Sequence, residues 1–258
     1  MQYKLKGKVA IVVGGSGQIG KETIDILIKS GCQVINLDYV RLRFKNKNYY
    51  FKKIDITNER EIINFKKDFQ KKFKKLNILV NHAHYRGNPK KLDPNNNFFK
   101  SLDDYPTNEW KKTIDVNLNA MFYITKHFLK LMLKTKNPVI LNTSSTYGKV
   151  SPNKSIYGNS GINAPIGYTA TKAGIIGFTK YIATHYGDRG LRANVLIPGG
   201  VENKNQSKSF KKKYSQLTPL RRMAKQNEYK RAVLFLVSDE SSYMTGSEFV
   251  IDGGWTAW

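Results

Sequence analysis

The apolar run VAIVV, Val9 to Val13, is followed at once by GGSGQIG, Gly14 to Gly20, and then by a helix-patterned stretch that ends at Gly31. Strand, glycine turn and helix in that order confine the chain to folds in which a buried strand end feeds directly into a helix start. Glycines at 14, 17 and 20 let the main chain turn tightly, and the unpaired amides that open the helix suit a pyrophosphate. Glycine-rich turns also join strands to helices for steric reasons alone. The motif therefore points to a dinucleotide site that the rest of the chain must specify.

The rest repeats the pattern. Apolar runs recur at 33–37, 49–54, 78–81, 139–142, 192–197 and 248–251, and helical periodicity is clearest in 58–73, 107–133, 167–186 and 228–237. Alternating strands and helices imply a parallel sheet covered on both faces, and right-handed crossovers make it an α/β, doubly wound, Rossmann-like sheet of about seven strands. At 258 residues the expectation is one domain, 1–258. Three stretches, near 84–105, 145–165 and 201–222, break the rhythm after strand ends, where open parallel sheets bind ligands, and are expected to wall a substrate pocket.

A formal net charge of +25 raises the question of nucleic acid. Lysine is scattered over nearly every polar segment and no nucleic-acid module appears, so the expectation is no nucleic-acid and no membrane partner. With no apolar run of spanning length and no signal pattern ahead of the first strand, a cytoplasmic location is expected. The one cysteine, Cys32, reads as a small core residue. No metal site is expected.

Asp38 ends the second strand roughly 20 residues beyond the glycine turn, the separation at which a carboxylate meets the adenosine ribose. A carboxylate there repels a 2′-phosphate. Arg41 and Arg43 lie nearby, but Tyr39 follows Asp38 directly, so NAD is favoured over NADP. Asp55, with Ile56 beside it, either faces adenine or caps the next helix, for which Thr57 is the better candidate. Tyr168 and Lys172 stand four residues apart in a helical segment and share one face, which makes an acid–base pair possible, since a fixed ammonium favours a phenolate. An unremarkable surface helix reads the same way on this pair alone.

In order and spacing the blocks GGSGQIG, NHAH (81–84), DVNLNAMF, NTSS, YTATK, IPGGV and DGGW resemble the classical short-chain dehydrogenases/reductases from Lys8 to Trp258. The resemblance implies an oxidoreductase acting on a CH–OH group. Tyr168 would exchange the proton, Lys172 would hold the nicotinamide ribose and acidify the tyrosine, Ser145 would bind the reacting carbonyl and Asn117 would hold a relay water. Cofactor contacts would come from Gly14, Gly17, Gln18, Ile19, Gly20, Asp38, Asp55, Ile56, Asn81, Ala83, Tyr168, Lys172, Pro198, Gly199 and Val201. Assembly as a homotetramer, or failing that a dimer, through the helices near 107–133 and 167–186 is implied as well.

The chain also departs from the family pattern. Gln18 stands where the classical turn has a glycine, as in extended members that include sugar-nucleotide epimerases and dehydratases. NNAG has become NHAH, so His82 and His84 are either packed loop residues or substrate contacts. The interval from Ser145 to Tyr168 is longer than usual. Tyr157 lies nearer the usual distance from Ser145 but has Gly161 four residues on, and Ser144 competes with Ser145. Arg86 and Arg222 are further substrate candidates, and residues 203–213 resemble a substrate lid. The expected reaction interconverts a secondary alcohol and a ketone on a polar, sugar-derived substrate. The polar loops motivate that reading, as does a fainter likeness of PLRRMA and DGGWTAW to oxidoreductases of flagellin-modification and nonulosonate pathways. A cofactor-retaining epimerase or dehydratase and a catalytically idle cofactor-binding regulator remain the alternatives.

Overall fold

The computed structural model describes residues 5–87 and 95–258, so residues 88–94 of the first candidate loop lie outside it. The strands are β1 (Val9–Val13), β2 (Gln33–Asp38), β3 (Tyr49–Lys53), β4 (Ile78–Asn81), β5 (Val139–Thr143), β6 (Arg192–Pro198) and β7 (Glu248–Ile251). All pair in parallel, in the order β3-β2-β1-β4-β5-β6-β7. Period-two alternation divides their side chains between two cores. Val9, Ile11, Val13, Leu79 and Ile140 face one layer, and Ala10, Val12, Val80 and Leu141 face the other.

Helices α1 (Gln18–Lys29) and α7 (Lys230–Val237) cover the second layer, sending in Ile24, Leu27, Val233 and Leu236. The first layer is built by α2 (Glu59–Lys72), α4 (Ala120–Met132) and α5 (Ile166–Tyr186). There Phe69 meets Phe128 edge to face at 5.3 Å, an arrangement aromatic pairs favour. Asn58 caps α2, its side chain accepting from the amides of Arg60 and Glu61. The expected cap, Thr57, instead donates to Asp55, because the helix starts one residue later than its apolar pattern suggests.

The long helical pattern at 107–133 forms two helices, α3 (Thr107–Ile114) and α4, joined by a wide π-turn over Asp115–Asn119. Ala120, Ile124, Phe128 and Leu131 of α4 are core residues, whereas Phe122 is 45% exposed. β1 and β4 are neighbours, and the chain leaves β1 toward β2 but leaves β4 toward β5 on the opposite side, which opens a crevice at the carboxyl ends of β1 and β4. No helix among the described residues is long and apolar enough to cross a membrane. None of their His, Cys, Asp and Glu side chains form a group of three able to hold a metal ion.

Candidate active site

The crevice is a cavity of about 700 Å³, within the range of small-molecule sites. Main chain makes one half of it. Gly14 turns at φ +74°, and a Cβ there would lie 2.6 Å from the Ala83 backbone, while a Cβ on Gly20 would collide with the Gly14 carbonyl. Only glycine allows the turn and α1 to close this tightly. Gly17 opens α1 with no side-chain cap, which leaves the first amides directed at the cavity. A glycine cradle, a helix start and adjoining space fit a dinucleotide.

Asp38 lines the far end of this half. The amides of Ser16 and Val40 donate to its two carboxylate oxygens at 2.9 and 3.1 Å. Arg41 is turned onto the Phe51 ring, 6.0 Å from its centroid. Ile54 and Ile56 line the cavity, but the Asp55 between them does not. Burial works against the charge of Asp55, yet hydrogen bonds from Thr57 and Tyr39 outweigh it and hold the carboxyl below its usual range. The Gln18 side chain donates to the Glu202 carbonyl at 3.0 Å, fastening the glycine turn to the loop after β6.

At the junction of the two halves Lys172 is buried, 1% exposed, and its ammonium donates to the Thr143 carbonyl at 2.8 Å. Burial pushes it down to about 7. Its Nζ lies 5.3 Å from the centroid of the Tyr168 ring. Burial raises the Tyr168 phenol, and what pulls it back is a hydrogen bond from Ser145 and the Arg86 guanidinium. On balance the phenol stays above its ordinary value, with burial the largest cause.

Ser144 and Ser145 separate clearly. The Ser144 hydroxyl donates to the Lys172 carbonyl at 2.7 Å and so helps fix α5, while that of Ser145 reaches Tyr168. Asn117 sits in the π-turn, fully buried. Its Oδ1 accepts from the Tyr85 amide at 2.6 Å and its Nδ2 donates to Thr171 at 3.0 Å. Both groups are engaged within the protein, so Asn117 ties the loop after β4 to α5.

His82 is a packed residue. Its nitrogens meet the hydroxyls of Thr23 at 2.9 Å and Thr143 at 2.7 Å, and desolvation, then the nearby Lys172 charge, push its imidazole down to about 3. His84 lines the cavity instead, its ring 6.1 Å from that of Tyr168 in an edge-to-face arrangement.

The other half of the cavity is made of side chains. Helix α6 (Lys208–Gln216) lies over it with Phe210 and Tyr214 inward, the Tyr214 hydroxyl accepting from the Gly200 amide at 2.6 Å. Tyr214 also stacks on Trp255 at 4.2 Å. The long segment between Ser145 and Tyr168 packs against this helix, with Tyr157 5.7 Å from Phe210 and hydrogen-bonded to Tyr147. Tyr157 is thus a wall residue. Phe98 and Phe99 complete an aromatic lining more extensive than the polar loop composition suggests.

Of the candidates, Gly14, Gly17, Gln18, Ile19, Gly20, Asp38, Ile56, Ala83, His84, Arg86, Ser145, Tyr168, Lys172, Pro198, Gly199 and Val201 all border this cavity. Asp55, Asn81, Asn117 and Arg222 do not. Asn81 points along the sheet and donates to Asn142 at 2.8 Å. Arg222 makes a two-pronged pair with Glu228, both contacts 2.7 Å, which directs it elsewhere. The sequence reading missed Tyr147 and Tyr214, which border the cavity, and Trp255, on which Tyr214 stacks. For the two tyrosines the signal was an aromatic ring inside a polar, lysine-containing stretch, where burial is the main reason to keep one.

Comparison with known proteins agrees with this geometry. Residues 18–256 match a family model described as enoyl-(acyl carrier protein) reductase. The chain is 32% identical to 3-oxoacyl-[acyl-carrier-protein] reductase FabG of Thermotoga maritima, over 97% of this chain and 98% of that protein. Its fold matches a short-chain dehydrogenase from Leptospira borgpetersenii with bound NAD+ at a TM-score of 0.88, with 34% identity, covering 98% of this chain and 94% of the other. It also matches the ligand-free aldohexose dehydrogenase of Thermoplasma acidophilum at a TM-score of 0.84, with 26% identity, covering 99% and 97%. The chain belongs to the classical short-chain dehydrogenases/reductases. It is an oxidoreductase of the kind that acts on CH–OH groups.

Proposed function

We propose that the chain interconverts a secondary alcohol and a ketone on a polyhydroxylated, sugar-derived substrate, with NAD preferred to NADP. The observation that carries this reading is a phenol, a serine hydroxyl and a buried lysine meeting where the glycine cradle gives way to the aromatic pocket. A nicotinamide cofactor, when bound, supplies or takes up the hydride at the reacting carbon. In the reducing direction Tyr168 gives its proton to the carbonyl oxygen while Ser145 hydrogen-bonds the same oxygen as charge develops on it. Lys172 holds the ribose, and the aromatic wall with α6 above it excludes water.

NAD is favoured by the Asp38 carboxylate at the ribose end and by an Arg41 turned away onto Phe51. A sugar is favoured by aromatic faces, against which the C–H faces of a pyranose pack while its hydroxyls reach polar groups at the edges. The likeness to an aldohexose dehydrogenase supports the same class. Exposed Phe122 on α4 and Tyr181 on α5 support assembly as a homotetramer, with a dimer next.

The test is turnover of wild type and Tyr168→Phe on a panel of sugars and cyclic alcohols with each dinucleotide, followed by absorbance of the reduced nicotinamide. The variant is expected to lose roughly 10²- to 10⁴-fold in kcat while its NAD affinity stays nearly the same. Undiminished turnover in Tyr168→Phe overturns the assignment, and faster turnover with NADP overturns the cofactor preference.

A further inference from the structure

We infer, resting on the reaction read above, that His84 determines substrate choice. Its Nε2 accepts a hydrogen bond from a hydroxyl on the carbon next to the reacting one, so the preferred substrates are vicinal hydroxyketones and the corresponding diols.

The argument begins with the proton on the ring. Nδ1 of His84 lies 3.2 Å from the carbonyl oxygen of His82. A carbonyl only accepts, so Nδ1 carries the hydrogen and Nε2, on the opposite side of the ring, keeps its lone pair. The imidazole stays neutral. Desolvation and the nearby charges of Lys172 and Arg86 hold it below its ordinary value, although the residue is exposed toward the cleft. Nε2 is therefore an acceptor throughout the neutral pH range.

The neighbours of this acceptor have the opposite character. Ser145, Tyr168 and Arg86 border the same part of the cavity and bring donors toward the reacting oxygen. A ketone oxygen has no hydrogen to offer His84, so the complement of Nε2 is a second group on the substrate that does. His84 and Tyr168 both line the cavity with ring centroids 6.1 Å apart, which makes the two side chains neighbours in the wall a substrate would face. Oxygens on adjacent carbons have the short separation this requires. NHAH places this imidazole where the family motif NNAG has a glycine, so a relative that follows the motif there brings no such acceptor.

The test compares cyclohexanone with 2-hydroxycyclohexanone as ligands of the protein loaded with NAD+, on which a ketone cannot be reduced, by calorimetry, in wild type, His84→Ala and His84→Gln. Wild type is expected to bind the hydroxyketone roughly five- to tenfold more tightly than the ketone, the worth of one added hydrogen bond. His84→Ala is expected to bring the two affinities together with the ketone affinity unchanged, and His84→Gln, whose amide oxygen accepts, to restore part of the difference. Equal affinities or no binding in wild type, a preference that survives in His84→Ala, or an equal weakening of both ligands overturns the inference. Turnover is recorded separately. A preserved binding difference without any oxidoreduction counts against the reaction read above and leaves the role of His84 standing.

Discussion

The two halves of the cavity are built from different material. Around Gly14 and Gly20 the main chain itself forms the wall, held at distances that admit no Cβ. Across the junction the wall consists of side chains, Tyr147, Tyr157, Phe210 and Tyr214, brought together from the segment before α5 and from α6, far apart in sequence. A main-chain wall fixes its ligand's position through geometry common to every sequence that can make the turn. A side-chain wall selects its ligand by surface and can be exchanged residue by residue. The contrast teaches that cofactor binding here tolerates almost no local change, whereas substrate choice is open to single substitutions.

The sharpest way to break this contrast is Gly14→Ala. The added methyl meets the Ala83 backbone at a positive φ, so NAD affinity is expected to fall by more than about 100-fold and stability by roughly 2–4 kcal/mol, read by calorimetry and denaturant unfolding. Near-normal binding would mean that the cradle is not rigid. Smaller in effect, Tyr157→Ala removes the ring that packs on Phe210. It should raise KM for substrate by about tenfold while leaving kcat and the NAD dissociation constant nearly unchanged, because the lost contact is made equally in ground and transition states. A matching loss of NAD affinity would show the halves to be coupled.

The smallest effect at neutral pH concerns the junction itself. Folded His82 titrates at about 3 against an ordinary 6.5, so between those values the unfolded chain binds more protons and stability falls as the pH drops from 6.5 toward 3. In His82→Asn the slope of unfolding free energy with pH should be shallower by about one proton, close to 1.4 kcal/mol per pH unit. An unchanged slope would place the acid sensitivity elsewhere.

The same division explains what could be read in advance. The strands lie within a residue of their apolar runs, because alternation between two buried layers leaves little freedom. Tyr168, Lys172 and the glycine turn were legible because their chemistry is local, one helical turn or one loop in length. Arg222 misled, since its engagement with Glu228 depends on how the chain returns after α6. Tyr157 looked idle because its partners, Tyr147 and Phe210, belong to the folded loops. The helical pattern of 107–133 concealed the π-turn, as hydrophobic periodicity continues on both sides of it.

That widened turn has a bearing on how the chain can vary over time. A π-turn closes each hydrogen-bonded loop with one residue more than an α-helix, so removing one position between Asp115 and Asn119 would tighten it to a regular turn. Asn117, which the wide turn holds against the Tyr85 amide and Thr171, would then be displaced from both. Insertions and deletions that the surface segments absorb easily would here disturb core and reaction centre at once. The register of this helix pair is accordingly among the least negotiable lengths in the protein.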